Sequence, residues 1–168
     1  MAYYYKGKKT FSEHLKQIFW HFVYPFFPTL RDGLIRLKLI HHNGRQPFYL
    51  GHLAPNFTIE HFRSHLLKHG FHNHFVAWYD DGQVLSLRKH DSFRFQHHLR
   101  LFEDGEIRGH YEFTPEGHPI KHFLEEGMVP AKKDFKSYLG AMLVEDTSGY
   151  IKSHNLPEAS TGSPYNGK

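Results

Sequence analysis

Apolar residues near the start of the chain recur at helical spacing. Phe11, Leu15, Ile18, Phe19 and Phe22 share one face of a helix over 11–23. Thr10-Phe11-Ser12-Glu13 supplies a capping box at its entrance, where the threonine side chain and the glutamate satisfy each other's open backbone donors. Pro25 and Pro28 are expected to stop it. The mostly aromatic run 18–27 is too short to span a bilayer and reads as part of a core helix; lying in a membrane interface is the alternative. Next, 34–41 alternates Leu34, Arg36 and Lys38 with Ile35, Leu37 and Leu39, the period of a strand. Asn43-Gly44 is a turn signal, and 46–53 can return as a partner strand, with Pro47 near its start or at a sheet edge.

Thr58 caps a second helix that buries Ile59, Phe62 and Leu66 and stops at Gly70. The centre of the chain is the most regular part. Segments 71–79 and 83–89 flank Asp80-Asp81-Gly82, and 93–102 and 106–113 flank Glu103-Asp104-Gly105, which predicts two consecutive hairpins in a four-stranded meander. A short helix over 118–126, with Pro119 in its first turn, and a last helix over 134–144 follow. From 152 to 168 the composition turns to Ser, Gly, Pro and Asn and predicts a flexible tail. The expected architecture is one α+β domain over 1–151: an antiparallel sheet of four to six strands, built on the hairpins at 71–113, with helices packed on one face.

The register of the second hairpin decides which side chains share a face. A two-residue Asp104-Gly105 turn would set Leu99 opposite His110 and mix apolar with charged groups. A three-residue loop with Gly105 left-handed shifts the pairing by one. Phe95, Leu99 and Leu101 then join Ile107, Gly109, Tyr111 and Phe113 on the helix-bearing side. Arg94, Gln96, His98 and Arg100 collect opposite with Glu106, Arg108, His110 and Glu112. A one-residue slip turns every side chain over, so the pattern that segregates the apolar set is the expected one. His97, on the apolar side, reads as a hydrogen-bonded core histidine.

Composition sharpens this picture. Histidine stands at 17 of 168 residues and aromatics at 17%, so the chain is not a disordered polymer. With no cysteine there is no disulfide framework, thiolate metal site or thiol nucleophile. There is no apolar run of transmembrane length and no signal-type h-region, so a cytoplasmic protein is expected. The net charge of +4 favours anionic partners. P-loop, dinucleotide-glycine and serine-elbow motifs are absent.

Two chemistries fit the polar face. Opposed cations, Arg100 by Arg108 and His98 by His110, ask for an anion between them. That points to a phosphate-rich ligand such as RNA or DNA, with Arg94, Arg100 and Arg108 as binding groups. Metal-independent phosphodiester cleavage could follow, with His98 and His110 as acid and base and Glu112 as base or orienting group; that reading needs no cofactor. The alternative is a His-liganded metalloenzyme, a hydrolase using a divalent metal such as zinc. His118 and His122 are its candidate ligands, a helical i, i+4 pair with Glu125 and Glu126 nearby; His61, His65 and His69 form a similar stripe. A non-catalytic partner-binding module is the third reading.

Overall fold

A computed structural model describes residues 5–38, 48–74 and 80–145. Its centre is a six-stranded antiparallel sheet in the order β2-β3-β4-β5-β1-β6. The strands are β1 (Tyr49–Leu53), β2 (His72–Asn73), β3 (Gln83–His90), β4 (Phe95–Phe102), β5 (Glu106–Phe113) and β6 (Leu143–Val144). The helices are α1 (Phe11–Val23), α2 (Phe27–Arg36), α3 (Ile59–Lys68), α4 (Pro119–Phe123) and α5 (Lys132–Leu139). The fold is therefore α+β, as the pattern predicts.

The bulged register holds throughout the second hairpin. Leu101 pairs with Ile107, Arg100 with Arg108, Leu99 with Gly109, His98 with His110 and Gln96 with Glu112. Gly105 makes the turn at φ +81°, a conformation that carries little penalty only without a Cβ. Strand β3 continues the segregation, pairing Leu85 with Leu101, Leu87 with Leu99, Ser86 with Arg100 and Arg88 with His98.

The apolar face receives α3 and α5. Phe62 and Leu66 from α3 and Phe135 and Leu139 from α5 form one core with Leu85, Leu87, Leu99, Leu101 and Ile107. Gly109 lets Phe135 lie directly on the strand, since a Cβ there would stand 2.8 Å from the ring. His97 is buried on this side, with Nε2 at 2.9 Å from the Asp134 carboxylate and its ring edge-on to Phe135 and Tyr138.

Three expectations need correction. Among the described residues of 34–41 the alternation does not make a strand: Leu30, Leu34 and Leu37 also fit a helical period, and residues through Arg36 belong to α2. Helix α1 itself ends at Val23, ahead of Pro25 as expected; Pro25 falls in a 3-10 turn (Tyr24–Phe26) and Pro28 in the first turn of α2, where no amide donor is needed. The apolar face of α1 is not core, because Trp20 is the buried residue of that helix and the predicted stripe faces outward. The last helix stops at Leu139, Gly140 takes φ +51°, and Leu143 and Val144 become an edge strand. Residues 39–47, with the Asn43-Gly44 turn, 75–79 of the first hairpin and the predicted tail lie outside the described residues.

Candidate metal centre

The face opposite the core carries the charged side chains that the register assembles, and it is closed rather than solvated. Arg88, Gln96, His98, Arg100, His110 and Glu112 are all buried. The chain after β5 folds back over them. Thr114 donates its hydroxyl to the Phe93 carbonyl at 2.6 Å and accepts from the Gly117 amide at 2.9 Å, fixing a loop that carries Glu116 inward. Glu116 meets Arg88 through two bonds, 2.8 and 3.2 Å. Helix α4 follows and turns His122 toward Glu112. The Phe48 ring covers His110 from β1's side at 5.7 Å.

The cations opposed across the strands are neutralised from within. Arg100 donates to Asp80 at 2.5 Å, and Arg108 donates to Glu106 on its own strand. Arg94 stands apart from the face, largely exposed, and pairs with Glu13 of α1 at 3.5 Å. The sequence signal for Glu116 and Asp80 was weak because both sit in loops whose return across the sheet is tertiary.

The centre of the face is built of imidazoles around one carboxylate. His98, His110 and Glu112 each offer a ligand atom, and these atoms all lie within 4.8 Å of one another. His98 Nδ1 is 3.3 Å from Glu112 Oε1, and His110 Nε2 is 3.1 Å from Oε2. Neither nitrogen makes a hydrogen bond along that approach, so the carboxylate lies off the axis of each ring nitrogen. Both His110 nitrogens and both His74 nitrogens are buried without a hydrogen-bond partner among the described residues. The His74 ring sits 4.5 Å from that of His98 and 6.2 Å from that of His122.

Surrounding groups hold this set in place. Gln96 Nε2 donates to Glu112 Oε1 at 2.7 Å, and Ser86 Oγ lies 3.0 Å from His98 Nε2. His122 Nδ1 donates to the Phe113 carbonyl at 2.8 Å. Burial alone would raise the Glu112 carboxyl, but the neighbouring His122 and His110 imidazoles outweigh it and hold the group well below the usual carboxylate range. Burial pushes His98 down to about 3 against the pull of Glu112, and pushes His74 well below its ordinary value. His122 moves the other way: the Glu112 charge overcomes its burial and raises it. The carboxylate is thus held ionised, and burial keeps His98 and His74 uncharged at neutral pH, the states in which such groups ligate metals.

The residues read from the sequence as catalytic, His98, His110 and Glu112, converge in space. Arg100 and Arg108 flank them but are occupied by Asp80 and Glu106. The His118–His122 pair divides: His122 faces Glu112, whereas His118 packs on the Phe113 ring at 4.7 Å. His74 was missed as a neighbour of this set, since alternation along a strand gives a face but not a distance. The chain matches no protein-family model, no curated protein and no solved structure.

Proposed function

We propose that the protein binds a divalent metal through His98, His110 and Glu112. The observation that carries this reading is a buried carboxylate surrounded by imidazole nitrogens with no hydrogen-bond partner. Ligand bonds of about 2.0–2.1 Å in a tetrahedral set separate neighbouring ligand atoms by about 3.3 Å. The three ligand atoms lie within 4.8 Å of one another, so a modest inward movement would bring them to that spacing. Unpaired polar atoms in an interior call for an ion or a water.

Two histidines and a glutamate leave one tetrahedral position for water, whose pKa a divalent ion lowers toward neutrality. The His74 ring packs against those of His98 and His122 at the margin of this set. Gln96 and Ser86 hold the ligands as outer partners do in metal sites. The phosphate-binding reading is less well supported by this geometry. It needs an accessible cationic face, and here Arg100, His98 and His110 are buried beneath the loop that carries Glu116.

Elemental analysis of protein purified without a nickel column, followed by calorimetric titration of the stripped protein with zinc, tests the proposal. One equivalent is expected, with affinity reduced at least about tenfold by His110→Ala and by Glu112→Gln. Zinc uptake below about a tenth of an equivalent would overturn it, as would unchanged affinity in both variants. A buried network without metal would then account for the cluster.

A further inference from the structure

We propose that α1, the 3-10 turn and α2 form a docking surface for an anionic lipid bilayer. The inference is independent of the metal centre. Helix α1 exposes its apolar stripe: Phe11 is 79% exposed, Phe19 61% and Phe22 68%, with Leu15 and Ile18 between them. The helix is not free to roll this stripe inward. Its other side carries buried Trp20, and Glu13 is engaged with Arg94. Lys9 and Gln17 meet by hydrogen bonding, and each also donates to the Tyr5 carbonyl.

The apolar surface continues past the turn. Phe26, Thr29, Leu30, Gly33, Leu34 and Leu37 line a groove of about 410 Å³. The exposed stripe of α1 alone presents on the order of 500 Å² of apolar surface, at the upper end of the roughly 300–600 Å² that is the largest patch of an ordinary monomer. Exposing that much grease is unfavourable unless something covers it.

Charge decides what covers it. Residues 1–38 hold seven Lys and Arg against two acids, a net of +5, while 39–168 hold fourteen against fifteen, a net of −1. The cationic charge of the protein is thus concentrated on the segment that exposes the apolar stripe, and Lys16, His14 and His21 stand exposed beside it. An amphipathic helix with aromatic and aliphatic residues on one side and bases along its flanks suits an anionic lipid interface, where both features contribute to binding. A second copy of the chain would press one +5 segment against another. No helix among the described residues is long and apolar enough to cross a membrane, so the contact is peripheral.

Co-sedimentation of the full chain with phosphatidylcholine vesicles, with and without phosphatidylserine, is the test. Binding to the serine-containing vesicles is expected to be at least about tenfold tighter and to weaken with salt. The exposed double substitution Phe19→Ser/Phe22→Ser is expected to reduce it about tenfold or more while leaving the circular dichroism spectrum unchanged. Absence of binding to either vesicle overturns the proposal. So does sedimentation velocity showing a wild-type dimer that this substitution converts to monomer, because the stripe would then be a self-interface.

Discussion

Two regions of this molecule invert the ordinary arrangement of side chains, and they do so in opposite senses. The outer face of β3, β4 and β5 hides charge; the outer face of α1 shows grease. On the sheet, cross-strand pairing fixes the position of every side chain, so opposed cations stay opposed unless other residues are brought in to neutralise them. Asp80, Glu106 and Glu116 are those residues. The polar face is therefore an interior completed by the chain itself. On α1 nothing within the described chain completes the apolar face. The first inversion concerns folding and internal chemistry, and the second concerns a contact the protein makes with something else.

The largest expected effect comes from breaking the internal completion. Arg88 is fully buried and its guanidinium faces Glu116. Removing the carboxylate leaves an uncompensated charge in the interior, so Glu116→Gln is expected to cost about 3–5 kcal/mol in urea unfolding. Glu60→Gln, at the exposed i, i+3 pair with Arg63, is expected to cost under about 1 kcal/mol. Equal losses in the two variants would mean that the charged face is not a closed interior.

Acid should find the same face next. Burial, reinforced by Arg88, pushes His90 down to about 4. In the unfolded chain this imidazole has its ordinary value near 6.5. Above that pH the ring is neutral in both states and contributes nothing to the pH dependence. As pH falls from 6.5 toward 4 the unfolded state takes up the proton first, and stability is lost. Glu116 adds to this at lower pH: burial raises it, the Arg88 charge more than compensates, and its contribution fades as pH falls through its depressed value. Chemical unfolding at pH 7 and pH 4.5 is expected to differ by on the order of 2 kcal/mol from His90 alone, a loss that His90→Asn should remove. The same loss in both proteins would acquit His90.

The difference between the two regions also explains what was legible in the sequence. The bulged hairpin could be read because one register alone segregates Leu99, Leu101 and Ile107 from Arg100, Arg108 and His110, and because Gly105 stands where a left-handed residue is needed. Thr10 and Thr58 announced their helices by local chemistry. The convergence of His98, His110 and Glu112 followed from the same register. Its closure did not, because Glu116 and His122 come from a returning loop and a short helix whose path depends on the packed whole. One clue was present: Arg88 alternates with Leu87 and Leu85 and so had to join a face already rich in cations. Helix α1 was legible as amphipathic but not in its direction. Periodicity gives a helix an apolar side without saying what that side meets. Over 34–36 two periods fit the same residues, and the helix that ends at Arg36 prevailed.

The smallest expected effect is the most discriminating for α1. Leu99 and Phe19 are both large apolar residues within regular elements, but Leu99 is fully buried against α3 and α5 whereas Phe19 is largely exposed. Truncating Leu99 to Ala forfeits its transfer from water and opens a cavity, an expected loss of about 2–5 kcal/mol. Phe19→Ser, and likewise Phe22→Ser, gives up no such burial and breaks no cap, because the Thr10 and Glu13 box lies at the other end of the helix. Each is expected to change the free energy of urea unfolding by no more than about 0.5 kcal/mol. A loss above about 2 kcal/mol at Phe19 in dilute monomeric protein would show the stripe buried in solution after all. The contrast between a sealed charged face and an open apolar one would then fail at its second half.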